Sequence, residues 1–412
     1  MLTSKLRLLF LCQILYWSTV IVGVAIASIV GAYLTQNPAF ATFPLAILTV
    51  GNILTTLPLS LLMQRFGRRF GFSLGAIATI LGGLISCWAI YKLNFWLFCF
   101  GNMLLGVAQA SALYYRLAAT DDVKKQHRGR AIALVMSGGI VAALIAPTLA
   151  IWSKDFLLPH LYAGSYGLIS IFGLATLLLC YFLPKHTLAP QQKLTQEDAQ
   201  KVLQENTIIN KEPIRPTNVI IKQPMFIMAI SNTAISHAVM VLIMISTPLA
   251  MLAHNHQVDD ATYAIQWHVL GMFIPSFFAG KLIDKFDASN ISLLGIVILI
   301  ISISISTSGV ALINFYSGLF LLGIGWNLMY TAGSTMIANS HRAREKGKVQ
   351  GLAELIVSIL AAIAAFSSGV LLHQFGWTEV NLGSVPLLII AAMITLYCRQ
   401  KMKSRDEGNN TY

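Results

Sequence analysis

Twelve apolar segments, each about as long as a bilayer is thick, constrain this chain more than any other feature. They run over residues 8–33, 41–63, 71–91, 95–115, 131–153, 162–183, 225–253, 262–280, 290–309, 313–338, 349–373 and 382–398. A helix of about 20 residues crosses the roughly 30 Å hydrocarbon layer. Only helices and closed barrels satisfy every backbone amide there. Barrel strands alternate polar and apolar over about ten residues, whereas these segments are continuously apolar. Even ISISIST at 301–307, which alternates like a strand, lies inside such a segment and reads as buried helix. The composition agrees: 56% of the 412 residues are hydrophobic and 11% charged, against about 25% charged in soluble domains. The expected fold class is an all-α integral membrane protein with twelve transmembrane helices.

The net charge of +12 raises nucleic acid as a partner, and its distribution argues against that. With the N-terminus in the cytoplasm and the helices alternating, 26 of the 28 lysines and arginines face inward; only Lys92 and Lys154 face out. That is the positive-inside bias, with anionic lipid headgroups as the basic loops' neighbours. Both termini are therefore expected in the cytoplasm, and the bilayer, not nucleic acid, is the expected partner. Lys5 and Arg7 precede an apolar run longer than the 7–15 residues of a signal peptide, which predicts a retained first helix. Cys12, Cys87, Cys99, Cys180 and Cys398 fall on five different helices, in neither disulfide nor metal-ligand spacing. No metal or cofactor is expected.

The chain reads as a duplication. One long polar stretch, 184–223, divides six segments from six, and Thr195 with Asp198 is placed to cap a short surface helix within it. Across it, RGRA at 128–131 matches KGKV at 346–349, and LGVAQ at 105–109 matches LGIGW at 322–326. Ser60–Arg69 is matched by GKLIDKFDAS at 280–289, and the three offsets lie between 217 and 220 residues. The expected organisation is a bundle over 1–184, a cytoplasmic linker over 185–223 and a second bundle over 224–412. Parallel six-helix repeats are a transporter architecture, with solute bound near the midplane between them.

The loop SLLMQRFGRR, Ser60–Arg69, resembles the G-x-L-a-D-r-x-G-R-R loop of the major facilitator superfamily, with Ser60 and Gln64 in place of its glycine and acid. Gly280, Lys281, Leu282, Ile283, Asp284, Lys285 and Phe286 repeat the pattern in the second half. The resemblance implies that Arg65, Arg68, Arg69, Asp284 and Lys285 gate the inner mouth by latching the halves; loop arginines that only enforce topology are the plainer alternative. Two other patterns of the family are altered. Asn102 stands four residues before Gly106, where proton-coupled members often carry arginine, and Ala146, Pro147 and Ala150 replace the glycine-rich antiporter run. The resemblance further implies that helices 1, 4, 7 and 10 line the cavity.

Polar side chains in lipid face a cavity or another helix. The candidate solute-binding residues are Gln13, Tyr16 and Trp17; Gln109, Tyr115 and Arg116; Asn232 and His237; Gln266, Trp267 and His268; and Trp326, Asn327 and Tyr330. Serines and threonines at these spacings more often bond their own helix. Glu354, about five residues inside the eleventh segment, is the intramembrane acid, with Lys348 or Arg344 as its structural partners in the plainer reading. Glu354, His237 and His268 are the candidates for proton coupling. No G-x-x-x-x-G-K-[ST] loop occurs, so gradients must supply the energy. The expected function is that of a monomeric secondary transporter: an inner-membrane carrier of a small neutral or anionic organic solute (metabolite, vitamin or carboxylate siderophore), coupled to protons, working by alternating access. A multidrug/proton antiporter-like exporter and a transporter-fold sensor without flux are the alternatives; an enzyme is not expected.

Overall fold

The computed structural model describes residues 4–121, 123, 128–184, 215–342 and 345–409. Most of the linker, with Thr195 and Asp198, lies outside the described residues, as does Arg344. Helices dominate the described residues. In the first half they are α1 (Ser4–Leu34), α2 (Phe43–Phe66), α3 (Arg68–Tyr91), α4 (Phe95–Ala112, continued by the turn Tyr115–Ala118), α5 (Arg128–Met136 and Gly138–Ser153) and α6 (Ala163–Phe182). The second half holds α7 (Pro224–Ala253), α8 (Val258–Phe273), α9 (Ala288–Thr307), α10 (Leu312–Asn339), α11 (Lys346–Phe375) and α12 (Val385–Asn409, preceded by the short helix Trp377–Leu382).

Eleven helices among the described residues are long and apolar enough to cross a membrane. The expected eighth segment, a continuous helix over 262–280, is corrected. Here α8 ends at Phe273, gives way to a 3-10 turn at Ile274–Phe277 and resumes as Ala279–Phe286. Pro275 is the cause, because it has no N–H to donate and its ring crowds the preceding turn. Beside the break the Met272 carbonyl accepts a hydrogen bond from Asn327 Nδ2 of α10 at 2.8 Å, so the turn is tied to a neighbouring helix.

Close backbone contact holds each half together. A Cβ added to Gly51 of α2 would lie 2.3 Å from the Met103 carbonyl oxygen, and one on Gly106 of α4 would lie 2.0 Å from that of Leu48. Gly271 of α8 and Gly323 of α10 repeat this, at 2.2 Å from Phe320 O and 2.4 Å from His268 O. Small residues give lipid-embedded helices the van der Waals contact that a hydrophobic effect cannot supply. The glycine pairs are related by the same offsets of 217 and 220 residues as the sequence repeats.

Candidate functional site

The start of α1 and the end of α12 lie on one face, here the terminal face, and the start of α2, the end of α5, the start of α8 and the end of α11 lie on the other, the far face. The two halves are bonded together at the far face. Thr42 Oγ1 donates to the Ala365 carbonyl at 3.1 Å and accepts from the Gly369 N–H at 3.0 Å, joining α2 to α11. Lys154 at the end of α5 pairs with Asp259 at the start of α8 at 2.5 Å. Phe43 packs edge-on against Phe366 (5.8 Å between centroids), and Leu45 and Ala46 share an apolar cluster with Met240, Val241 and Ala365. At the terminal face, by contrast, Arg65, Arg116, Asp284 and Glu354 are all exposed. The side-chain bonds that join the two halves here lie at the far face.

At mid-height the second half presents a wall of rings. His237 of α7 and Trp326 and Tyr330 of α10 form one cluster, with Trp326 stacked on Tyr330 at 5.1 Å and 26°. Residues i and i+4 share a helix face, which brings these two α10 rings together. Trp326 Nε1–H donates to His237 Nδ1 at 3.3 Å, so the imidazole proton sits on Nε2. From the first half, Trp17 of α1 meets Phe273 of α8 edge-on at 4.9 Å, with Tyr16 beside it at 5.6 Å. Gln13, one turn earlier, is buried with its Nε2 on the Met136 sulfur at 3.7 Å.

Arg116 and Glu354 interact electrostatically, and both act on Tyr330. Arg116 comes from the end of α4 and Glu354 from α11, so this attraction crosses between the halves. The partner considered from sequence, Lys348, is itself exposed on the same helix. A pairing of two charges from different halves leaves no local signal; each charge is visible in sequence, and their meeting is not.

Other expected site residues are placed elsewhere. Asn232 is completely buried and tied to its own half: Nδ2 donates to Met228 O and Thr395 Oγ1, both at 2.8 Å, and Oδ1 accepts from Ser292 Oγ at 2.5 Å. Its amide is engaged in joining α7, α12 and α9. Tyr115 lies in the core of the first half with its ring 4.8 Å from Phe72. His268 is fully buried with Nδ1 3.0 Å from Leu319 O, in the glycine-lined contact between α8 and α10. Trp267 is exposed and edge-on to Phe320, while Gln109 and Gln266 are half-buried. Ser236 and Thr233 bond carbonyls of α7 itself.

Of the gating candidates, Arg65, Arg68, Arg69 and Lys285 make contacts within their own halves, and Asp284 is exposed. Arg68 Nε is 3.3 Å from Asp121 Oδ2, and Lys5 is 3.8 Å from the same oxygen. Arg69 lies over the Tyr181 ring at 4.9 Å, Arg65 over Phe66 at 5.3 Å and Lys285 over Phe286 at 5.0 Å. The sequence motif drew attention to Gln64 as the lost acid; Asp121, from the loop after α4, is the carboxylate that reading overlooked. In the second half Arg215 reaches Glu345 with Nη2 at 2.7 Å and Nε at 3.0 Å, and the Arg342 N–H adds a bond at 2.9 Å. These bonds hold the Glu345 carboxyl down at about 2.

Residues 8–256 and 231–411 match the Major Facilitator Superfamily. The chain belongs to that family. The riboflavin transporter RfnT of Brucella anthropi is 35% identical over 396 residues, covering 96% of each chain. Among solved structures, a D-xylose–proton symporter superposes with a TM-score of 0.73 at 14% identity, covering 95% of this chain and 96% of that one. A bacterial homologue of the human lysosomal transporter Spinster, in an inward-facing and occupied conformation, does so at 0.69 and 15%, covering 96% of each. This superfamily member is a multi-pass membrane protein and a secondary transporter of small solutes, not an enzyme.

Proposed function

We propose that this transporter carries a flat, largely neutral aromatic vitamin of the flavin type, riboflavin itself being the first solute to test, across the bacterial inner membrane. The observation that carries this reading is the ring cluster of His237, Trp326 and Tyr330 midway along α7 and α10. Stacked aromatic surface favours a fused-ring solute over a sugar or a carboxylate siderophore. The similarity to a riboflavin transporter over nearly the whole chain supports the same class. Stacking supplies about 1–3 kcal/mol per ring, whereas a micromolar Kd needs about 8 kcal/mol. Desolvation and polar contacts from the opposing half must provide the rest.

In this reading residues 1–184 and 224–412 rock about the solute, the 185–223 segment links them in the cytoplasm, and a monomer suffices. The terminal face is cytoplasmic, so the described state is inward-facing. Glu354 takes up and releases the coupling proton, and Arg116 is the cation that Glu354 faces when ionised. Purified protein titrated with riboflavin should quench flavin fluorescence, and its expression should rescue growth of a riboflavin-auxotrophic host on low external vitamin. Neither quenching nor rescue would remove riboflavin as the solute.

A further inference from the structure

Among the described residues, three buried polar atoms near the middle of the molecule have no hydrogen-bond partner: Gln13 Oε1 and Trp17 Nε1 of α1, and Asn327 Oδ1 of α10. Gln13 is 4% exposed and Asn327 6%. Buried polar groups are normally paired, so each orphan asks for an explanation. Eight other such atoms occur among the described residues, among them Ser86 Oγ, Asn102 Oδ1 and Tyr166 Oη of the first half and His268 Nε2, Ser306 Oγ and Asn381 Oδ1 of the second. Trp17 and Asn327 are set apart by meeting, from opposite halves, the residues where α8 breaks, and Gln13 lies one turn from Trp17. Trp17 meets Phe273 at 4.9 Å. Asn327 Nδ2 is engaged by Met272 O and Ser276 Oγ, both at 2.8 Å, leaving Oδ1 as the spare atom. Gln13 and Trp17 are four residues apart, on one face of α1.

We propose that these atoms read the polar edge of the solute: Trp17 Nε1–H donates to a ring carbonyl, Gln13 Oε1 accepts from the adjacent ring N–H, and Asn327 Oδ1 accepts from a hydroxyl. The chemistry that fits is an imide or lactam edge beside a hydroxylated chain. Riboflavin carries both, and the inference rests on the flavin reading above. Ring stacking tolerates any flat heterocycle. A site built to bond an N–H strongly rejects the analogue that lacks it, because its own buried acceptor is then stranded.

The test is fluorescence titration of purified protein with riboflavin and with N3-methylriboflavin, which has lost the ring N–H. Wild type should bind the methylated flavin roughly 10- to 100-fold more weakly. Gln13→Leu should bind the two alike, and should unfold at the same or a higher temperature than wild type, since it removes an unpaired buried oxygen. Trp17→Phe, which keeps a ring against Phe273 and removes the N–H, should weaken both flavins. Equal binding of both flavins by wild type overturns the edge-reading role and leaves the flavin assignment standing. Failure of wild type to bind either overturns both. A Gln13→Leu protein that unfolds earlier yet still rejects the methylated flavin makes Gln13 a packing residue and also overturns the proposal.

Discussion

Gly51 and Gly106 in the first half and Gly271 and Gly323 in the second perform the same packing task at matching positions. Gln109 and Trp326, also at matching positions on α4 and α10, do not perform the same task. The first is a half-buried amide and the second is the centre of a ring cluster. The charges diverge in the same way, since the first half brings Arg116 to the mouth and the second brings Glu354. Backbone contact between helices allows few solutions, so the duplicated scaffold is retained on both sides. Side chains that meet solute rather than protein are free of that constraint, and in the proposed site the repeats have separated, with Arg116 and Gln109 in the first half and Trp326, Tyr330 and Glu354 in the second.

The sharpest way to break this comparison is Glu354→Gln. With the acid of the second half neutralised, accumulation driven by a pH gradient should fall roughly 100-fold, within the range of coupling energies between sites. Solute exchange at equal pH should stay near wild type. Uphill transport at the wild-type rate would remove Glu354 from coupling. Next in size is the contrast between matched positions. Trp326→Ala should weaken flavin binding about 10-fold or more through lost stacking, while Gln109→Ala should change it little. Similar losses in both titrations would mean that the two walls share the task.

The braces at the terminal face give a smaller contrast. Asp121 is exposed, whereas the Glu345 side chain is covered and bonded by Arg215 and the Arg342 N–H. Glu345→Gln should cost about 1–3 kcal/mol in unfolding experiments, and Asp121→Asn less than about 1 kcal/mol. The acid limb separates them further. The Glu345 carboxyl is held at about 2 when folded and returns to about 4.3 when unfolded. Its contribution is therefore complete above the higher value and lost as pH falls towards the lower one. Glu345→Gln should flatten the stability profile over that interval, and an unchanged slope would assign the acid limb to other groups. The smallest effect belongs to Lys154–Asp259, a partly exposed pair at the far face. Lys154→Ala should shift the balance towards the state open at that face by at most about 1 kcal/mol. Cysteine accessibility at the far ends of α2 and α11 would measure it.

Much of the fold could be read directly from the segments, because a lipid solvent leaves so few ways to satisfy the backbone. The break in α8 escaped notice although Pro275 stands in plain view. Membrane helices tolerate proline when neighbours steady the irregular backbone, and Asn327, which holds the Met272 carbonyl beside the break, is a neighbour only in three dimensions. The ring cluster was half-legible: Trp326 and Tyr330 share a face by spacing, but His237 joins them through tertiary packing. Asn232 shows the converse. Spacing identified a polar face on α7, and helix rotation turned that face towards α9 and α12, where Ser292 and Thr395 engage its amide.

The glycine contacts also decide where motion can be seen. With backbones this close, α2 and α4 form one plank, and α8 and α10 form another. A pair of spin labels on the two helices of one plank should report a single unchanging distance through the whole cycle, and so serves as an internal ruler. A pair spanning Thr42 and Gly369 crosses the seam that must part, so its distance distribution records the cycle itself. Measured side by side, the silent pair distinguishes opening from partial unfolding, since only unfolding lengthens both.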